Sequence, residues 1–357
     1  MNRLARWRGP HIVLPYLGYG NRDKVTLCGR VLEDEGFRPS RSTDRAWRNL
    51  VAMYKRFESD EVPGARVCAR YAGIATEAVA DREGYFSVEF PSRAKAANGP
   101  WHDVSLELLA PRPGARAIGR VLVPPATARF GVISDLDDTV VQSHVSAKLR
   151  MVLALALSNA HTRKPFAGVG AFYRALHAGA TGGEGNPIFY VSKSPWNLYA
   201  PLIEFLKHQD IPLGPLLLRD YGMHLLRGKG GHKERGIRRV LETYPRLPFV
   251  LIGDSTEQDP EIYSEMVRRY PRRVRAIYIR SVRREPARLA AIDRLVEEVR
   301  RTGCQLVLAP DSEFAAAHAA AEGLIAPSAL RAIRRDKDAD REAPRTQVSR
   351  TSLSRLA

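Results

Sequence analysis

FGVISDLDDTVVQS, residues 130–143, takes a mostly apolar run straight into Asp135, Asp137 and Asp138. Like charges this close repel, and each resists desolvation. Packing therefore gives no reason for the cluster, in a chain that carries 56 Lys and Arg against 39 Asp and Glu. An apolar run of this length reads as a buried strand. A carboxylate at its end is held rigidly and faces outward, where something positive or electrophilic belongs. Asp135 is placed to attack an electrophile. Asp137, two residues on, is placed to pass protons to and from a leaving oxygen. Carboxylates with few other ligands suit Mg²⁺. The ordinary alternative is a solvated turn, or a helix cap by Asp138 or Thr139.

Downstream of Phe130, strand-like runs at 130–134, 187–192, 215–220, 248–255 and 274–282 alternate with amphipathic segments near 144–158, 166–178, 197–208, 233–243, 260–269 and 285–301. That alternation predicts a parallel sheet with helices on both faces. Ligands bind beyond the carboxyl ends of such strands. Three of the predicted strands end in polar residues: Asp135 with Asp137, Ser192, and Asp254.

In FYVSKSPWN (189–197), Ser192 is placed to hold a phosphoryl oxygen, and Ser194 before Pro195 reads as a helix cap. In GKGGHKERGIRRVLETYP (228–245), Lys233 opens a helix and is placed to neutralise both a nucleophile and a phosphoryl group. Lys229 in the Gly-rich loop is its rival. In PFVLIGDSTEQDPEIY (248–263), Asp254 and Asp259, with Glu257 between them, complete a metal site facing the first acids.

Residues 23–125 have a different texture: short β-rich runs at 24–32, 65–73, 76–90, 102–110 and 116–124, punctuated by Gly, Pro, Asp and Asn. They predict a β-sandwich-like domain with a helical insertion at 43–59 and no catalytic constellation. The expected division is an N-terminal segment 1–22, the β domain 23–125, a catalytic domain 126–333 after a linker at 123–130, and a disordered charged tail 334–357.

The net charge of +17 favours polyanionic partners: anionic lipid, nucleic acid or a phosphorylated substrate. The apolar run in MNRLARWRGPHIVLPYLGYG (1–20) is short and broken by Pro, unlike a secretory signal. The stretch LRMVLALALSNA (149–160) falls short of the roughly 20 apolar residues of a spanning helix. Any membrane contact is then peripheral. Cys28, Cys68 and Cys304 are scattered and show no metal or disulfide pattern, which makes a reducing cytoplasm the default.

The ordered set Asp-x-Asp-x-Thr, strand-end Ser, Lys and Gly-Asp resembles the haloacid dehalogenase-like phosphohydrolases. The resemblance implies a Rossmannoid sheet, Mg²⁺ and an aspartyl-phosphate. It implies Asp135 as nucleophile and metal ligand. Asp137 becomes the general acid/base, with its backbone carbonyl on the metal. Ser192 and Lys233 become phosphate-binding, and Asp254 a metal ligand, supported by Thr139, Lys193 and Asp259. More narrowly, DLDDTVVQS, FAGVGAFYRAL, YVSKSPWNLY, GHKERGIRRVL and LIGDSTEQDPEIY resemble the bacterial branch of the actin patch protein family of phosphatidate phosphatases. GYGNRDKVTLCGRVL in the β-rich half fits it too. This implies Mg²⁺-dependent conversion of phosphatidate to diacylglycerol, in the cytoplasm or at the inner membrane face.

Residues 143–186 are too few for a large lid, which predicts an open site. Within them MVLALAL (151–157) is a helix that packs in the core or touches lipid. Two other readings stand beside this one. The first is a phosphatase of soluble or nucleic-acid phosphomonoesters. The second is a partner-binding protein on a degenerate phosphatase fold.

Overall fold

The computed structural model describes residues 9–33, 61–91, 99–136, 168–219, 231–281 and 285–342. The expected helices at 43–59 and 144–158 lie outside these residues, as do Asp137, Thr139, Lys229 and the 151–157 stretch.

The first part is one eight-stranded sheet built from β1 (His11–Pro15), β2 (Gly18–Gly20), β3 (Lys24–Glu33), β4 (Arg66–Tyr71), β5 (Ile74–Val79), β6 (Tyr85–Pro91), β7 (Trp101–Ala110) and β8 (Arg116–Leu122). Seven strands run in the order β1-β3-β2-β8-β7-β4-β5, and β6 pairs with β3. Apart from the parallel β2–β8 pair, the pairings are antiparallel. Alternation decides which side chains go inward. Phe86, Val88 and Phe90 of β6 are buried, while Ser87 and Glu89 between them are exposed. The β4–β5 hairpin closes on Ala72 and Gly73, at φ 47 and 82, the positive pair that a tight two-residue turn requires. Tyr71 of β4 meets Phe90 of β6 at 5.6 Å between ring centroids, so strands that are not hydrogen-bonded share one core.

This sheet begins earlier than expected. His11–Pro15 and Gly18–Gly20 fall in the segment 1–22 set apart from the β domain, yet both pair with β3. Their apolar pattern is too short to announce a strand alone, and the partner strand supplies the remaining burial.

The second part is a six-stranded parallel sheet: β9 (Gly131–Asp135), β10 (Ile188–Pro195), β11 (Leu216–Arg219), β12 (Phe249–Asp254), β13 (Val274–Arg280) and β14 (Gln305–Ala309), in the order β11-β10-β9-β12-β13-β14. Seven helices accompany it among the described residues: α1 (Val169–Ala178), α2 (Tyr199–His208), α3 (His232–Thr243), α4 (Asp259–Arg269), α5 (Pro286–Arg300), α6 (Ser312–Ala321) and α7 (Leu330–Glu342). Alternate strand residues serve two cores. Val132 and Tyr190 pack with Phe172, Phe205 and Ala315 on one face. Ile133, Val191 and Leu251 pack with Ile237, Val267 and Ile292 on the other. The five predicted strands and the helices at 166–178, 197–208, 233–243, 260–269 and 285–301 all appear, with ends shifted by a few residues.

Two features depart from expectation. Ser194 does not cap a helix. Strand β10 continues through Pro195, and α2 starts only at Tyr199, after a short turn at Trp196–Leu198. The charged tail from Arg334 is helical as far as Glu342. Ile333 is buried, Lys337 pairs with Asp311 and Glu313 at 2.7 Å each, and Asp336 accepts from the Ala171 amide at 2.9 Å. Ion pairs and one apolar anchor replace the apolar stripe whose absence suggested disorder.

The two parts touch through residues 16–21. The Leu17 amide donates to the Tyr199 hydroxyl at 2.6 Å, Asn21 Nδ2 donates to the Thr243 carbonyl at 2.8 Å, and Tyr16 stacks on Trp196 at 4.5 Å.

Candidate functional site

Strand order fixes where chemistry can occur. From β9 the chain steps outward through β10 to β11, then returns to the other side of β9 for β12, β13 and β14. The reversal falls between β9 and β12, and the crevice beyond the strand ends at such a point is where ligands bind in open parallel sheets. Asp135 ends β9 and Asp254 ends β12. Register aligns them. Asp135 pairs with Val191, so Ser192 lies one step beyond it on β10. Ser134 pairs with Ile252, so Asp254 lies one step past the residue opposite Asp135. Segments more than a hundred residues apart therefore meet at one rim.

Lys233 rises into this crevice from the first turn of α3. Its side chain is 3% exposed, and Nζ lies 2.5 Å from Asp259 Oδ1, 3.0 Å from Glu257 Oε2 and 3.2 Å from Asp135 Oδ2. Burial alone pushes its pKa down, but Asp135, Asp259, Tyr263 and Glu257 outweigh that and hold it well above the ordinary lysine value. Burial likewise pushes Asp259 up, against the pull of Lys233. With the ammonium at Oδ1 and the Asp254 amide donating to Oδ2 at 3.0 Å, the geometry favours the ion pair. Glu257 feels burial upward, yet Lys233 and Lys193 bring it down to about 2.

Asp135, Glu257 and Asp259 offer carboxylate oxygens that all lie within 4.8 Å of one another. Asp254, itself buried, adds a fourth acid. Its Oδ1 accepts from the Thr256 amide at 2.5 Å, and its Oδ2 is buried with no hydrogen-bond partner among the described residues. A buried carboxylate oxygen without a hydrogen-bond partner, beside an acid-rich cluster, is a ready ligand for a cation. The donor set thus fits a hard divalent ion.

Ser192 is fully buried, and its Oγ accepts from the Ser194 amide at 2.9 Å. Lys193 is half exposed and reaches Glu257 Oε2 at 2.8 Å. Of the residues singled out from sequence, Asp135, Lys233 and Asp259 are in direct contact. Ser192 and Asp254 share their rim, and Lys193 joins through Glu257. Glu257, read from sequence only as one of the acids between Asp254 and Asp259, bridges Lys193 and Lys233.

The loop that carries these acids is held from two sides. Arg288 of α5 donates to the carbonyls of Ser255 at 3.0 Å and Glu257 at 2.6 Å, and pairs with Glu261. Gly253 leaves room for Asp259, since a Cβ there would sit 2.4 Å from Asp259 Oδ2. Gly253→Ala is therefore expected to cost about 1–3 kcal/mol of stability. Denaturant unfolding checks this, and an unchanged midpoint would mean that the loop yields without loss.

Comparison with known proteins follows the same residues. Residues 130–281 match the family described as phosphatidate phosphatase APP1, catalytic domain. The chain is 30% identical over 155 residues to the phosphatidate phosphatase APP1 of Saccharomyces cerevisiae, covering 42% of this chain and 26% of that protein. It is 26% identical over 272 residues to an uncharacterized protein of Schizosaccharomyces pombe, covering 73% of this chain and 43% of that one. The chain thus spans less than half the length of either curated relative. Among solved structures, a carbohydrate acetylesterase from Xanthomonas citri aligns at 15% identity over 80% of this chain and 72% of its own, with a TM-score of 0.28. At that score the likeness carries no weight.

Proposed function

We propose that this chain, whose residues 130–281 belong to the phosphatidate phosphatase APP1 catalytic-domain family, is a Mg²⁺-dependent phosphomonoester hydrolase of the haloacid dehalogenase-like type, acting on phosphatidate or a closely similar lipid phosphate. The observation that carries this reading is the Asp135–Lys233 contact of 3.2 Å at the reversal point of the sheet, with Asp254 and Ser192 on the same rim.

In this reading Asp135 attacks phosphorus and forms an aspartyl-phosphate, and the substrate alkoxide leaves with a proton from Asp137. Asp137 then takes a proton from the water that cleaves the acyl phosphate, releasing inorganic phosphate and restoring Asp135. Lys233 holds the phosphoryl oxygens against Asp135, and Ser192 donates to one of them. Thr139 and Lys193 support the phosphate side, and Asp259 keeps Lys233 in place. Asp135 and Asp254, with the backbone carbonyl of Asp137, would hold Mg²⁺. Bound there, the ion would screen the anionic oxygens and polarise the phosphoryl group.

No helix among the described residues is long and apolar enough to cross a membrane. The net charge of +17 supports peripheral attraction to anionic lipid.

Phosphate release from vesicle-bound phosphatidate and from soluble phosphomonoesters, each with Mg²⁺ and with chelator, tests the proposal. Release from phosphatidate that chelator abolishes is expected. Hydrolysis of soluble esters alone would move the substrate assignment, and no release from any ester would end the hydrolase reading. Arg288→Ala is expected to weaken Mg²⁺ binding about tenfold, because it frees the carbonyls that fix the acid loop. Calorimetric titration reads this, and unchanged affinity would leave Arg288 a packing residue.

A further inference from the structure

Among the described residues the β-rich part adds none to the acid cluster, yet residues 16–19 are seated against the free edge of the parallel sheet. Between them lies a narrow slot with about 40 Å³ of enclosed space. Tyr16, Tyr19, Cys28, Trp196 and Leu216–Leu218 line it, and Arg239 and Thr26 are its polar members. We propose that this slot binds one acyl chain of a lipid-phosphate substrate, so that the first sheet forms one wall of the substrate site. The inference rests on the lipid-phosphate reading above and adds where the lipid lies.

Position is the first support. Val191 pairs with Asp135 on one side and with Leu217 on the other. Leu217 is therefore level with Asp135, two strand spacings away, or about 10 Å. Asp135, Val191 and Leu217 also share side-chain parity. Val191 and Leu217 pack with Ile237 and Val240 of α3, the helix that delivers Lys233. The slot thus lies at the free edge of the sheet, with Leu217 from the face of the acid cluster and Leu216, Leu218 and Trp196 from the other face, at a separation from Asp135 that a phosphoester, a glycerol and an ester linkage bridge.

Chemistry is the second support. The slot is apolar and slim, which admits an alkyl chain and excludes a sugar or a nucleobase. One of its lining residues is unsatisfied: Tyr16 is 2% exposed, and its hydroxyl has no hydrogen-bond partner among the described residues. A buried hydroxyl left unpaired costs stability. An ester carbonyl at the head of an acyl chain is an acceptor that would satisfy it. Beyond the slot, a polar cleft of about 760 Å³ shares Tyr19, Thr26 and Arg239 with it and adds Lys24, Glu89 and Glu242. The polarity change marks where the apolar chain must stop.

Cys28 gives a direct probe, being partly exposed where Cys68 and Cys304 are buried. Alkylation of Cys28 by N-ethylmaleimide, followed in the full chain by peptide mass spectrometry, is expected to slow at least fivefold with dioctanoylglycerol and not with glycerol. In Leu216→Phe, which narrows the slot, the protection is expected to disappear. The ratio of kcat/KM for a long-chain lipid phosphate to that for a soluble ester is expected to fall at least tenfold. Tyr16→Phe, which removes only the hydroxyl, is expected to lower that ratio about three- to tenfold, and it decides the matter if Leu216→Phe does not fold. Equal alkylation rates with and without dioctanoylglycerol, protection that persists in Leu216→Phe, or an unchanged ratio in Tyr16→Phe would each overturn the proposal. Dioctanoylglycerol carries no phosphate, so the labelling result stands apart from catalysis. Protection without any phosphate release would remove the hydrolase and leave the slot.

Discussion

Asp135→Asn is expected to lower turnover by about 10⁴-fold or more while the protein stays folded. The substitution preserves shape and one acceptor oxygen but removes the negative charge that the proposed nucleophile needs. Its effect on stability should be small for a reason visible in the cluster. Lys233 faces Asp135, Glu257 and Asp259 together, and Asp254 lies beside them. Neutralising one of several acids weakens one attraction to Lys233 and relieves repulsions among the rest. The melting temperature is expected to move by less than about 3 °C. Phosphate release gives the rate, thermal unfolding gives the stability, and intact-mass measurement shows that the amide has not reverted to acid. An intact Asn protein with the wild-type rate would remove Asp135 from the nucleophile's role. A collapse of folding would instead make its charge structural.

Most of this site was legible in the sequence because strand ends announce themselves. GVIS, IFYVS and FVLIG are too apolar for anything but a sheet covered on both faces, and a polar residue that ends such a run must face the rim. Asp135, Ser192 and Asp254 follow from that argument alone. Glu257 does not. It sits in a segment rich in turn residues, where an acid is ordinarily solvated. Its burial arises only because Arg288 pins the loop and Lys233 comes up beneath it. That convergence is tertiary and leaves no local trace. Strand β14 was missed for a related reason. QLVLA is short, and only its first residue is exposed while Val307 and Leu308 are half-buried, so no alternation marks it. Strands β1 and β2 gain their burial from β3, so their own pattern is weak.

Lys233→Met is expected to produce the largest loss of stability of any single change at the site, about 3–5 kcal/mol. Methionine keeps much of the apolar stem and removes the ammonium, leaving Asp135 and Asp259, both essentially inaccessible, without their shared cation. The loss should depend on pH in a defined way. The folded pKa of Lys233 lies above its unfolded value, so its contribution is fully present below the ordinary lysine range and fades only as pH rises through the folded value. Between pH 6 and 9 the difference between wild type and variant should therefore be flat. Glu257 shows the opposite linkage. Its folded pKa near 2 lies below the ordinary carboxylate value, so its contribution is present at neutral pH and is lost as pH falls toward 2. In the variant the acids have no ammonium to keep them ionised, so they protonate earlier and shed their repulsion. The stability gap should then narrow below about pH 4. Denaturant unfolding across that range, for wild type and variant side by side, reads all three regimes. A divalent cation should restore part of the loss, seen as a larger Mg²⁺-induced rise in melting temperature for the variant than for wild type. If Lys233→Met were as stable as wild type at pH 7, the acids would already be neutral or otherwise balanced. Lys233 would then lose its place as the charge that holds the site together.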